Sequence, residues 1–261
     1  MVYADLHVHT RLSDGTLTLE TIPDAAEAAG VEVVGVTDHD RFHPDFDGPV
    51  VERDGVTLIH GIELRVEAAD GRVDLLGYGL ERTDALQAEV ERIQRDRRER
   101  GRAIVECVED RLGIDLDVEI REGLGRPHVA RAIEDHPETD LDYDAAFDEL
   151  IGNDGPCFVA RDVPSFERGR SLLADACGIV GLAHPFRYGD PEWALSLTAS
   201  LDAVEQYYPY GRPVDESLID DVVEEYDLLV TGGSDAHGRT LGAAGLSADQ
   251  YEPIARRVIG R

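Results

Sequence analysis

The chain has 261 residues, with 55 acidic against 25 basic side chains, a formal net charge of −30, and arginine as every basic residue. That length allows one barrel-sized domain with an insertion. So acidic a surface repels nucleic acid at low salt, so a nucleotide-like substrate must be gripped locally by metal ions and a few arginines. The acids are spread along the whole chain, which points to a solvated surface suited to a high-salt cytoplasm, where screening relieves self-repulsion.

Taken in chain order, apolar, β-branched runs closed by polar residues and glycine read as buried parallel strands. The first is expected at Val2–Leu6, followed by His7 and His9, with Asp14 in the next loop. Alternation along a strand puts His7 and His9 on one face, a bidentate clamp for one ion. A helix is expected over Thr18–Ala29, stopped by Gly30. Val31–Thr37 is the second strand, with Asp38 and His39 at its end. Val56–Ile62 is the third, followed by Glu63, and Val73–Tyr78 is the fourth.

The pattern then changes. A charged helix is expected over Arg82–Leu112, ended by Gly113, with shorter helices at Arg126–Glu134 and Tyr143–Leu150. No strand is expected between about 80 and 157, so residues 81–157 read as a helical insertion between 1–80 and 158–261. Alternation resumes with a helix at Pro164–Cys177 and a strand at Ile179–Ala183, which ends at His184. A strand at Leu201–Gln206, a helix at Val214–Tyr226, a strand at Leu228–Thr231 and a helix at Gln250–Val258 complete the chain. Asp235 and His237 follow the last strand. The sum is an α/β protein, a distorted (β/α)7 TIM-like barrel with a helical insertion. In such a barrel the C-terminal strand ends converge, so ligands far apart in sequence meet in one cleft.

Imidazole and carboxylate without thiolate suit divalent Zn, Mn or Fe. Paired ions activate water and clamp phosphoryl oxygens. Barrel amidohydrolases that bridge two metals with a carbamylated lysine are excluded, because the chain has no lysine. Calcineurin-like phosphoesterases need GDxxD and GNHD motifs that do not occur. Cys107, Cys157 and Cys177 are odd in number and lack CxxC spacing, so reduced thiols in the cytoplasm are expected. Asp38 reads as a partner orienting a ligand histidine and Asp40 as a turn residue. His43, His60 and His136 read as structural or surface.

The motifs DLHVHTRLSDG, VTDHD, GIEL, GLAHP and GGSDAH, in that order, resemble the PHP (polymerase and histidinol phosphatase) family of metal-dependent phosphoesterases. Gly125–His128, Gly155–Val159 and Val204–Pro209 resemble secondary motifs of the group with nucleoside 3′,5′-bisphosphate phosphatases and 5′–3′ RNA exonucleases. The resemblance implies the PHP fold and two or three divalent ions. One ion would take His7, His9, Glu63 and Asp235, and a second Asp14, His39 and His237. A third would take Glu63, His184 and position 74, where the family often has histidine and this chain has Asp74. It also implies Arg126 and His128 at the substrate phosphate, with Arg187 a further contact. His237, Asp235 and His39 are the candidates for moving protons.

The implied substrate is a small phosphorylated metabolite, a nucleotide or short RNA. Nucleoside bisphosphate or an RNA 5′ end leads, with histidinol phosphate and sugar or cyclic phosphates next. A metal-binding module without catalysis is the alternative of another class, disfavoured because nearly every ligand position is filled. No membrane segment, signal peptide or stable protein partner is expected.

The charge balance yields a first prediction: melting temperature rises steeply as chloride goes from low to molar concentration. A melting temperature that stays flat over that range would contradict the reading, and a chloride series separates screening from the burial-enhancing effect of kosmotropic salts.

Overall fold

The computed structural model describes residues 1–259 and divides into two compact units, Met1–Ala88 with Val163–Arg261, and Glu89–Asp162. The first unit holds an eight-stranded sheet: β1 (Ala4–Val8), β2 (Val33–Val36), β3 (Val50–Arg53), β4 (Val56–Ala68), β5 (Gly71–Tyr78), β6 (Ile179–Leu182), β7 (Ala203–Tyr207) and β8 (Leu229–Gly232). Along the sheet the order is β1-β2-β4-β5-β6-β7-β8, with β3 beside β4. A parallel bridge from Val8 to Ala236 joins the end of β1 to the segment after β8 and curls the sheet towards closure. This approach needs Gly233, where a Cβ would stand 2.4 Å from the His7 backbone nitrogen.

The helices are α1 (Ile22–Ala29), α2 (Asp84–Leu112), α3 (Arg126–Glu134), α4 (Tyr143–Ala146), α5 (Phe166–Ala176), α6 (Pro191–Ser196), α7 (Ser217–Tyr226) and α8 (Ala248–Ile259). Gly30 ends α1 in a left-handed turn, and Ser165 caps α5 by accepting from the Arg168 backbone N–H. Tyr251, Ile254 and Val258 of α8 pack with Leu6, Leu76 and Ile179 of the sheet into one buried cluster. None of the described helices is long and apolar enough to cross a membrane.

Three expectations need correction. The sheet is not wholly parallel: β1, β2 and β4 run together, as do β6, β7 and β8, but β5 is antiparallel to both neighbours. A tight turn after Ala68 sends the chain straight back, so β4 and β5 form a hairpin with Ala68 opposite Gly71. The start of β5, not its end, therefore faces the ligand-bearing loops. Second, β3 was not expected. Asp54 and Gly55, with φ of 48° and 82°, make the tight turn that pairs it antiparallel to β4. Third, Cys107 and Cys157 form a disulfide, and Cys177 is buried outside it. Their separation of 50 positions carries no sequence signature, but the second unit brings their Cα atoms to 5.5 Å, within bonding range.

The second unit has its own core, in which Ile104 and Val108 of α2 meet Val129 and Ile133 of α3, with Ile151 and Cys157. The helix that starts at Tyr143 widens over its last turn, Phe147–Ile151, into π geometry. Closing a loop of 50 residues is worth about 4 kcal/mol by chain entropy. Replacing both Cys107 and Cys157 by serine should lower stability by about 2–4 kcal/mol. Alkylation of the unfolded, unreduced chain should label one thiol, and labelling of all three would remove the cross-link from the account.

Candidate metal centre

The centre is assembled at four places where the chain leaves the sheet, the ends of β1, β2, β6 and β8, and around Glu63 inside β4. His7 and His9 come from β1 and its end, and both are fully buried. After β2 the chain continues beside β4: Glu63 N–H donates to the Asp38 carbonyl and Asp40 N–H to the Glu63 carbonyl, at 3.2 and 2.7 Å. That pairing sets His39 beside Glu63, with His39 Nδ1 2.6 Å from Glu63 Oε2. His184 follows β6 and Asp235 follows β8, with φ of 29° and 50°. Two non-glycine residues in left-handed backbone, both aimed into one cluster, are strain held where a site requires it.

Glu63 is the hub. Its Oε2 lies 3.4 Å from His7 Nε2 and 3.5 Å from His9 Nε2, and its Oε1 lies 2.9 Å from His184 Nε2. Asp235 Oδ1 lies 3.0 Å from His9 Nε2 and 3.5 Å from His7 Nε2. Asp14 lies 3.2 Å from His237 Nε2 and 3.8 Å from His39 Nε2. Four overlapping groups of close-set ligand atoms form among the described residues: His7, His9 and Glu63; His9, Asp14, His39 and His237; His7, His184 and Asp235; and Glu63, Asp74 and His184.

These atoms fit metal ions better than they fit one another. His7 Nε2, His9 Nε2, Asp14 Oδ1 and Asp235 Oδ1 are buried without a hydrogen-bond partner despite those short separations. Lone pairs that converge on a shared space instead of pairing are the arrangement a coordinated cation satisfies; left alone, each such group costs ~1–3 kcal/mol.

Other residues hold the ligands in place. Glu205 Oε1 is 2.9 Å from His7 Nδ1, and its Oε2 accepts from the His184 backbone N–H at 2.8 Å. One buried carboxylate therefore orients two ligand segments. Asp5 accepts from Ser234 N–H and Oγ–H and from Gly242 N–H, tying the Asp235 loop to β1. Asp38 accepts from Thr10 N–H, Thr10 Oγ1 and Ser13 Oγ. It fastens the loop that carries Asp14. Arg187 Nη1 and the Tyr208 hydroxyl both donate to Asp235 Oδ2, at 2.9 and 2.8 Å, leaving Oδ1 for the cluster.

Asp74 reaches the site because β5 runs backwards. Its Oδ2 stands 3.8 Å from His184 Nε2, but its Oδ1 accepts from the Arg65 guanidinium one strand away. The Glu63, Asp74 and His184 group thus has a cation beside it in Arg65. Glu205, Asp5 and Arg65 have no site role assigned from sequence, and for Tyr208 the sequence leaves open stacking on a base or lining the core. The clue for Glu205 is a carboxylate in the middle of an apolar strand, Ala203–Tyr207.

The remaining candidates fall elsewhere. Arg126 and His128 belong to the second unit. Arg126 Nη1 donates to the Ile151 carbonyl and Asn153 Oδ1, and its guanidinium lies over Phe147 and Phe158. His128 Nδ1 accepts from the Gly125 N–H at the start of α3. Burial and the nearby Arg161, Arg126 and Arg97 lower Arg100 to about 9, so this face of the unit concentrates positive charge. His43 lies against Phe46, and His60 stacks on Phe46, as structural residues. Asp40 turns the chain with φ 54° and accepts from the Arg65 backbone N–H.

Residues 5–152 match the PHP domain family model. A phosphoribosyl 1,2-cyclic phosphate 1,2-diphosphodiesterase from Eggerthella lenta is 31% identical over 252 residues, spanning 90% of this chain and 94% of that protein. A 3′,5′-nucleoside bisphosphate phosphatase from Chromobacterium violaceum is 30% identical over 197 residues, spanning 72% and 68%. A crystal structure from Bifidobacterium adolescentis, assigned as a metal-dependent phosphoesterase, shares the fold with a TM-score of 0.78 at 23% identity, covering 100% and 99%. Fold, site and relatives together define a metal-dependent phosphoesterase, a hydrolase. The chain belongs to the PHP domain family.

Without cations the cluster stores protons. Burial opposes charge on His39, but Glu63, Asp14 and Asp74 outweigh it and push its pKa up to about 9. Burial likewise opposes charge on His7, yet Glu205, Glu63 and Asp235 raise it. His9 falls to about 4 through burial and the positive charge of His39. A divalent ion must displace the protons on His7 and His39, so affinity should rise with pH up to about 9. Calorimetry of Mn²⁺ binding in buffers of different ionisation enthalpy should show proton release at pH 7.5; binding with none released would contradict the assignment.

Proposed function

We propose that this phosphoesterase cleaves a phosphate ester of a small phosphorylated sugar or nucleotide, a nucleoside bisphosphate or RNA 5′ end first. We assign it two divalent ions, at His7, His9, Glu63 and Asp235 and at Asp14, His39 and His237. The observation that carries this reading is the set of buried, unpartnered ligand atoms converging around Glu63. The relatives support the substrate class, since their names give a phosphoribosyl cyclic phosphate and a nucleoside bisphosphate.

Ions held there supply an activated water and neutralise phosphoryl oxygens. The chain's own residues prepare the place. Glu205 locks His7 and the His184 backbone, and Arg187 with Tyr208 holds Asp235 by its outer oxygen. Of the three residues expected to move protons, His39 is boxed in by Glu63 and Asp235 by Arg187, whereas His237, which shares a cavity with Asp235, has the most exposed side chain of the three. Proton transfer at the leaving oxygen is therefore assigned to the His237 side of the cluster.

Arg65 supports two ions over three. Its guanidinium already neutralises Asp74, and a third cation would meet that positive charge. Mn²⁺ is the assigned metal, because three carboxylates in the set favour an oxygen-loving ion over Zn²⁺. The charged cluster of Arg97, Arg100 and Arg126 supports a phosphate-gripping role for Arg126 and His128. The acidic, lysine-free composition supports a cytoplasm rich in salt.

His9→Ala and Asp235→Asn should each remove turnover and one bound ion while leaving the fold intact. Glu205→Gln keeps every ligand but loosens His7, and should cost roughly 10–100-fold in metal affinity or activity. Full activity of Asp235→Asn at saturating Mn²⁺ would show that the cluster is not where the ester is cleaved.

A further inference from the structure

We infer that the cavity beside Asp235 and His237 is a second anion subsite, in which Arg212 and Tyr210 hold a phosphate group that is not cleaved. This deepens the proposed function and rests on it: the preferred substrate carries two phosphate groups, one at the metal cluster and one at Arg212.

The cavity lies within the first unit and has a volume of about 570 Å³. Its lining includes Asp235 and His237 of the centre together with Arg187, Tyr208, Tyr210 and Arg212. It therefore opens directly onto the ligands and has room beyond a single phosphate. Its cations are Arg187 and Arg212, and they are used differently. Arg187 is spent on the centre, donating to Asp235 Oδ2 and to the Tyr208 hydroxyl. Among the described residues no carboxylate lies within ion-pair distance of Arg212, in a chain with 55 acids to 25 arginines. It makes one hydrogen bond, from Nη2 to the Phe186 carbonyl at 2.8 Å. Nε and Nη1 remain to grip two oxygens of one phosphate.

The loop that carries Arg212 is stiff where it has to be. Pro209 and Pro213 bracket it, and Gly211 takes φ 66°, a left-handed turn that presents Arg212 to the cavity. The Tyr210 hydroxyl accepts from the Phe186 N–H at 3.4 Å, and the two rings meet edge to face at 5.4 Å. Tyr208 and Tyr210 stack at a tilt, 4.7 Å apart. Arg212 and Tyr210 are thus each tied to Phe186 by one hydrogen bond, which limits the freedom lost on binding. Its charge lies in a strongly acidic molecule, which repels a dianion almost everywhere else.

The test compares the Mn²⁺-loaded full chain with Arg212→Ala on adenosine 3′,5′-bisphosphate and adenosine 3′-monophosphate at one fixed ionic strength. The wild-type preference for the bisphosphate, as a ratio of kcat/KM values, should collapse by roughly 10–100-fold in the variant, mostly through KM. Arg212→Lys should recover part of it. Calorimetric binding of adenosine 5′-monophosphate, set against adenosine, should weaken by a similar factor in Arg212→Ala. A ratio unchanged by the substitution, whether both activities fall together or neither falls, overturns the subsite. If neither ester is turned over but the calorimetric difference depends on Arg212, the subsite stands and the functional reading fails.

Discussion

A carboxylate sealed among imidazoles governs this molecule. Glu63 is 1% exposed, and four histidine nitrogens from three separate parts of the chain lie within 3.5 Å of its two oxygens. A buried charge of this kind is tolerated only when opposite charge is brought to it and hydrogen bonds satisfy what is left. The rest of the first unit can be read as the means of bringing it. The β2 loop pairs with β4 at Glu63 itself, the bridge from Val8 to Ala236 carries the Asp235 loop to β1, and Glu205 pins His7 and His184 together. Each of these contacts spans strands far apart in sequence, so the site and the curled sheet stand or fall together.

The ligand residues were legible because their chemistry is local. An HxH clamp, a DHD turn, a glutamate in GIEL and a DxH pair each declare themselves within a few positions, and parallel strands imply that they meet. What escaped was relational. Glu205 differs from a surface glutamate only by facing inwards from β7, and nothing in its neighbours says what lies opposite. The reversal of β5 depends on the tight turn at Ala69 and Asp70, whose signal is weak beside the two apolar runs it joins. Arg65 looked like any arginine on a strand until that reversal set it against Asp74. Asp54–Gly55 is a hairpin signal, but Val50–Arg53 before it is short and half polar and so carries a weak strand pattern.

The second unit shows a different division of labour. It has its own apolar core and a covalent tie between Cys107 and Cys157, and it gathers four arginines close enough that one of them, Arg100, is depressed to about 9. In a chain of net charge −30, concentrating positive charge is costly in composition and worthwhile only where an anion is to be held. The same logic applies to Arg187 and Arg212 in the first unit. The acids are spread along the whole chain, whereas arginines gather at a few places.

The central claim is that Glu63 and the residues around it exist to hold a pair of divalent ions. Anomalous diffraction at the manganese edge, from crystals of the wild-type protein grown with Mn²⁺, tests it directly. Two peaks are expected, one among His7, His9, Glu63 and Asp235 and one among Asp14, His39 and His237, with Asp74 still engaged by Arg65. A single peak, or density away from Glu63, would contradict the account.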